Sequence, residues 1–191
     1  MEKDSLLEYL DEVHPLSEDL KIFLGNRLRF LTISKNDFLY RQGEILQTVY
    51  FVIEGLLVRQ TRIEEREQIT AFYKEKDFLI EHHSFHLHQK VRYTVFAEEN
   101  TRLLCLHYRD VMSMYQLYPE SNYIARFFLE HYHCLKDQHT SLLLYLNRSM
   151  RYTKFKELMP WALCRLKLGQ IASYLNMAPE TLSRVRNTSI N

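Results

Sequence analysis

Glycine is scarce in this chain, at four residues in 191, and so are proline, also four, and cysteine, three. Each shortage excludes something. So few glycines leave little room for a Gly-rich phosphate loop or a strained catalytic turn. Neither a Gly-x-Ser-x-Gly elbow nor a metalloprotease motif occurs, so an enzyme is not expected. Cys105, Cys134 and Cys164 are odd in number, far apart and never in a Cys-x-x-Cys arrangement. A disulfide framework or a zinc ribbon is therefore not expected, and a reducing cytoplasm fits. No stretch approaches the ~18 apolar residues that span a bilayer, and Met1-Glu2-Lys3-Asp4 has no apolar signal core, so neither export nor a membrane is expected. An excess of one charge is lacking too: 25 Lys and Arg against 24 Asp and Glu leave a net charge of +1.

The balance is uneven along the chain. From Asn147 onward, Arg148, Arg151, Lys154, Lys156, Arg165, Lys167, Arg184 and Arg186 face only Glu157 and Glu180. A basic tail on an otherwise acidic chain points to a polyanionic partner at that end. Short carboxylate pairs elsewhere, Glu64-Glu65 and Glu98-Glu99, read as solvated turn residues.

Three patterns follow one another. Leu6, Leu7 and Leu10, then Leu20, Phe23 and Leu24, fall at helical spacing on either side of Pro15 and predict two short helices. From Leu28 to Leu106 the chain turns to short β-branched and aromatic runs: 28–33, 49–53, 56–63, 68–73, 91–97 and 102–106. Their spacing predicts an antiparallel sandwich or barrel, with Gly43 and Gly55 in tight turns between runs. Helical spacing returns at Tyr108. Beyond Pro119, the residues Ile124, Phe128, His131, Leu135, Gln138, Leu142 and Tyr145 alternate steps of four and three, a near-heptad seam that predicts a long dimerisation helix in preference to a helix packed only within its own chain. Three short helices are expected after Arg148. The expected organisation is an α+β chain with an antiparallel β-roll over 1–115, the dimer helix over 116–147 and a DNA-binding domain over 148–191.

The segment Leu168 to Val185 meets the demands of a helix-turn-helix. Ile171 and Leu175 supply the inner side of the first helix, Ala172 a small contact residue, and Asn176 a residue tolerant of the left-handed turn. Met177 plugs the corner. Pro179 sits where its missing N–H costs nothing, with Glu180 following at the positive helix end. Leu182 and Val185 turn back to the core. Glu180, Thr181, Ser183, Arg184 and Arg186 remain on the outside, where Arg184 suits guanine, Glu180 cytosine N4 and Thr181 a phosphate. The alternative is a pair of ordinary packing helices.

These residues carry a family resemblance. Ile171-Ala172-Ser173-Tyr174-Leu175 with Pro179-Glu180-Thr181-Leu182-Ser183-Arg184 resembles the Crp/Fnr transcription regulators, in particular the branch common in Bacteroidetes. Leu39-Tyr40-Arg41-Gln42-Gly43-Glu44 and Tyr50-Phe51-Val52-Ile53-Glu54-Gly55 are similar to that family's cyclic-nucleotide-binding-type, jelly-roll-like β-roll. The resemblance implies a homodimer on a two-fold operator of double-stranded DNA, base contacts from Glu180, Ser183 and Arg184, and a roll that acts as a sensor. It also implies a wing after the recognition helix, for which few residues follow Arg186. The wing is expected to be absent or rudimentary, with Arg148, Arg151 and Lys154 taking over its phosphate contacts.

In cAMP-binding members a glycine and a glutamate precede an arginine by about ten residues. Here Glu81 keeps the glutamate, but Ile80 stands for the glycine and Val91 for the arginine. Lys90 and Arg92 flank Val91, and strand alternation would turn them to the opposite face. The resulting expectation is a degenerate pocket near Glu81, Lys90 and Arg92 that takes neither cAMP nor cGMP. No cofactor is expected, and a small-molecule effector of unknown identity is left open. His82, His83, His86 and His88 could ligate a metal or answer to pH. Without a cysteine or further carboxylate they read instead as an exposed polar loop, and no metal is expected. His131 and His133 do not share a helix face, and the cysteines of an Fnr-type cluster are absent. The rival class of function is a ligand-binding or protein-interaction module whose helix-turn-helix no longer meets DNA.

Overall fold

A computed structural model describes residues 2–64 and 66–188. Helices α1 (Glu2–Val13) and α2 (Glu18–Arg27) open the chain. Pro15 lies between them, and Ser17 caps α2 by accepting from the Leu20 N–H at 3.3 Å. Strands β1 (Arg29–Ile33), β2 (Phe38–Tyr40), β3 (Thr48–Glu54), β4 (Leu57–Ile63), β5 (Arg66–Tyr73) and β6 (Phe78–Leu79) follow. After α3 (His82–Leu87) come β7 (Thr94–Ala97) and β8 (Thr101–His107). The strands form two four-stranded sheets, ordered β1-β8-β3-β6 and β2-β7-β4-β5. Pairing in the first sheet is antiparallel throughout.

The sandwich expectation holds, with three additions. β2 and β6 are too short for alternation to reveal, and the histidine stretch forms α3 rather than a loop. Ser84 and Phe85 anchor α3 inward, Ser84 through its hydroxyl, which accepts from the Leu46 N–H at 2.5 Å. Glu98 is buried rather than solvated, its N–H donating to the Leu56 carbonyl at 2.8 Å. Gly55 is the glycine the turn cannot replace. It sits at φ +103°, and a Cβ there would lie 2.5 Å from Thr101 Oγ1.

The rest is helical: α4 (Tyr108–Leu117), α5 (Glu120–Leu144), α6 (Arg148–Leu158), α7 (Ala162–Arg165), α8 (Leu168–Tyr174) and α9 (Pro179–Thr188). Among the described residues from Arg148 on there are therefore four helices rather than three, the extra one being the single turn of α7. Asn147 starts α6 by accepting from the N–H groups of Ser149 and Met150.

The chain divides into two compact units. The first joins Met1–Arg59 and Phe72–His131; the second joins Gln60–Ala71, the outer part of β4 and β5, with Tyr132–Asn191. In the first, Leu6, Leu10, Leu20 and Leu24 of the opening helices close over Phe51, Leu104 and Leu106 of β3 and β8, with Val111 and Ile124. In the second, Leu142, Tyr152, Phe155, Ile171, Ala172, Leu175 and Leu182 are buried. The near-heptad seam of α5 is consequently shared out. Ile124 is buried and the Phe128 ring packs against that of Phe78 at 4.5 Å, tilted by 53°, in the first unit, and Leu142 is buried in the second. His131, Leu135 and Gln138 between them are exposed. Among the described residues no helix is long and apolar enough to cross a membrane.

Candidate functional sites in the roll and on α9

Within the roll, Glu81, just before α3, is 8% exposed, and its carboxylate meets side chains from two strands. Tyr40 on β2 donates its phenolic proton to Glu81 Oε1 at 2.6 Å. Arg59 on β4 places Nη1 3.7 Å from the same oxygen. The guanidinium also lies 4.4 Å from the centre of the Tyr93 ring and 6.0 Å from that of Tyr73, within cation–π range. Burial, and then the Glu81 charge, hold the Tyr40 hydroxyl well above the ordinary tyrosine range, so it stays a donor. A buried carboxylate needs such company, because leaving it unpaired is costly. Arg59, Tyr40 and Tyr93 were not singled out in the sequence. The one available sign was a charged residue ending the apolar run Leu56-Leu57-Val58.

The groups expected around this carboxylate do not converge on it. Ile80 is half-buried and Val91 is buried, while Lys90 and Arg92 are exposed. Val91 is fixed by a backbone exchange with the Gly43–Glu44 turn, its N–H donating to Glu44 O at 2.8 Å and its carbonyl accepting from Gly43 N at 2.9 Å. On α3 the rings of His82 and His86 lie parallel at 6.1 Å, and His88 Nδ1 meets Gln47 Nε2 at 2.9 Å. His82 is half-buried, and His83, His86 and His88 are exposed. Among the described residues no group of three or more His, Cys, Asp or Glu is placed to hold a metal.

The second site lies on α9. Helix α8 opens with the Lys167 N–H donating to Gln170 Oε1 at 2.8 Å, and just past its C-cap Leu175 comes Asn176, whose φ of +51° is left-handed. The chain then re-enters helix at Pro179, and the Leu182 N–H donates to Ala178 O at 3.1 Å. Leu182 is fully buried and Val185 half-buried, which orients the helix. Its outer side carries Glu180, Ser183, Arg184 and Asn187, at steps of three and four that align them on one face. Glu180, Arg184, Arg186 and Asn187 are exposed, and Thr181 and Ser183 half-buried. Asn187 is the face residue that sequence reasoning left out; its place seven residues after Glu180 was the sign. Whether a wing follows concerns residues 189–191, outside the described ones.

Two of the three cations expected to replace a wing are engaged within the chain. Arg151 donates from Nε and Nη2 to Tyr145 O at 3.0 and 2.6 Å, and from Nη1 to Leu175 O at 2.8 Å. It is a bracing residue. Lys154 Nζ pairs with Glu157 at 2.6 Å, and that hydrogen bond raises its pKa. Arg148 is exposed.

Residues 30–118 match the cyclic nucleotide-binding domain family. That domain holds the Tyr40–Glu81–Arg59 cluster. Over most of its length the chain is also similar in fold to solved Crp/Fnr-type transcription regulators. FixK2 from Bradyrhizobium japonicum matches at 18% identity and a TM-score of 0.69, over 84% of this chain and 83% of its own. A CooA variant from Carboxydothermus hydrogenoformans matches at 20% identity and a TM-score of 0.71, over 94% and 83%. CLP, described as a c-di-GMP-responsive global regulator of Xanthomonas campestris, matches at 16% identity and a TM-score of 0.72, over 90% and 91%. No curated protein matches the chain by sequence.

Proposed function

We propose that this chain is a sequence-specific DNA-binding transcription regulator of the Crp/Fnr type, working as a homodimer, with α8, the turn at Asn176 and α9 as its helix-turn-helix. The observation that carries the reading is the outer face of α9, where Glu180, Ser183, Arg184 and Asn187 stand on one side behind a left-handed turn. A helix of this kind presents such a face to the major groove. Arg184 pairs with guanine O6 and N7, Glu180 accepts from cytosine N4, and Asn187 suits adenine. Ser183 adds a hydrogen bond to a base edge, and Thr181 and Arg186 on the flanks take phosphates. Two copies related by a two-fold axis would place two such helices about 34 Å apart, one turn of the duplex. Exposed Phe127 and Leu135 on α5 support that helix as the dimer contact.

The roll, in this reading, takes neither cAMP nor cGMP. Glu81, the group that would receive a ribose hydroxyl, already accepts from Tyr40 and pairs with Arg59. The decisive experiment is enrichment of duplexes from a random-sequence pool by the purified chain, followed by titration of the enriched duplex at several salt concentrations. The expected result is a falling log–log line whose slope counts the neutralised phosphates. A chain that enriches no duplex and binds none at low salt overturns the reading. For the roll, a ligand at a hundred times its dissociation constant would add about 2.7 kcal/mol of stability. The expected shift of the melting midpoint with cAMP or cGMP is nil, and a rise would restore nucleotide binding.

A further inference from the structure

We infer that the junction between α8 and α9 is braced by three side chains from three other segments of the same unit, Gln68, His139 and Arg151, and that these are positioning residues for α9. The inference rests on the DNA-binding reading for its consequence, though not for its geometry. A helix leaves its last four carbonyls without helical partners. In α8 the chain itself satisfies two of them. Met177 N–H reaches back to Ala172 O at 2.8 Å and Asn176 N–H to Ser173 O at 3.0 Å, the double bond of a Schellman ending.

The carbonyls of Tyr174 and Leu175 lie beyond those bonds, and side chains meet both. His139 on α5 places Nε2 3.1 Å from Tyr174 O. A carbonyl only accepts, so that nitrogen carries the proton. Its ring also stacks on the Tyr174 ring at 3.9 Å. Arg151 donates to Leu175 O, and its other two bonds go to Tyr145 O, so one guanidinium ties the end of α5 to the end of α8. A cation is also the favoured charge at the negative end of a helix.

The third brace comes from β5. Gln68 Nε2 donates to Ser173 O as a second donor. Beside it, the Ile69 N–H donates to Ser173 Oγ at 2.9 Å, and that hydroxyl lies 3.3 Å from Glu67 O. Helix α8 has only seven residues, too few to hold its own shape. Its last turn is the platform from which α9 departs at Pro179. A reading face must be held to within about 0.5 Å of its productive position. A platform fixed from three directions meets that demand; one fixed from its own backbone alone does not.

Gln68→Ala, His139→Phe and Arg151→Lys test this on the full chain. The phenylalanine keeps the stack on Tyr174 and loses only the donor; the lysine keeps the charge and loses the fork. Amide hydrogen exchange is read at Asn176, Met177 and the first turn of α9, against the interior of α6. Affinity is read on the duplex that the wild-type chain enriches from a random pool and on a scrambled duplex of equal length. The expected result is exchange about tenfold faster at the turn with α6 unchanged. Affinity for the enriched duplex should fall about tenfold, and that for the scrambled one should stay within about twofold. Unchanged exchange at the turn, or acceleration spread evenly through α6, α8 and α9, overturns the inference. Equal loss on both duplexes, or full affinity with a loosened turn, overturns the positioning role. If the wild type enriches no duplex, the DNA-binding reading fails, and the exchange pattern alone decides whether the braces hold the turn.

Discussion

The interior of the roll and the outer side of α9 carry the same kinds of group in opposite circumstances. In the roll a buried carboxylate and a buried phenol meet a half-buried guanidinium, all within 3.7 Å at Glu81 Oε1. On α9 a carboxylate, a guanidinium, a hydroxyl and an amide stand in line at the surface. A charge taken out of water must be matched within the fold, and matching it uses up the bonds that a ligand would need. An exposed group keeps exchangeable partners, and a base edge or a phosphate can replace them. Residue type alone does not separate an internally matched cluster from an exposed face; depth does.

Substitutions can break that contrast. The largest effect is expected for Arg59→Met, which leaves the Glu81 carboxylate buried with Tyr40 alone. It should cost about 3 kcal/mol in urea unfolding, and adding Glu81→Gln should recover most of that. If Arg59→Met is neutral, the cluster is not the closed pair described. On α9, Arg184→Ala should cost about 1–3 kcal/mol of discrimination between the enriched and a mismatched duplex, with the melting midpoint unchanged. A uniform loss on all duplexes would make Arg184 a phosphate contact.

A smaller effect tests burial itself. Asp77 is pushed above the usual carboxylate range by burial, against the Lys74 N–H bond that lowers it. Its folded form therefore binds its proton more tightly than the unfolded chain does. The stability this contributes is fully present below the unfolded pKa, about 4, and is lost as pH rises through the folded value. Asp77→Asn should accordingly gain on the wild type between pH 4 and 7 in thermal melts; a constant difference across that range would contradict the sign. The smallest effect is chemical. Burial pushes the Cys105 thiol up to about 11, while Cys134 and Cys164 are exposed. Iodoacetamide at pH 8 should label the latter two first, as read by peptide mass.

Much of this arrangement was legible from the chain. Pro15, the alternation over 28–106 and the periodicity beyond Pro119 placed the opening helices, most strands and α5, because each segment is long enough for its period to repeat. The turn at Asn176 was legible because few residues accept its backbone geometry. β2, β6 and α7 escaped because two to four residues establish no period. α3 escaped because four of its stretch's residues, His82, His83, His86 and His88, look like a solvated loop, and only Ser84 and Phe85 bind it to the core.

What the chain determined by itself was local: which of the longer stretches are helix or strand, and where Gly55 and Asn176 turn. Tertiary structure alone decided the partners. That Arg59 closes on Glu81, that Arg151 braces Leu175 instead of standing ready for a phosphate, and that Gln68 meets Ser173 from 105 positions away all depend on contacts between distant segments. Backbone geometry repeats over neighbouring residues and so leaves a pattern in the sequence. A side-chain bond across such a separation leaves none, because it forms only after packing has brought its two ends together.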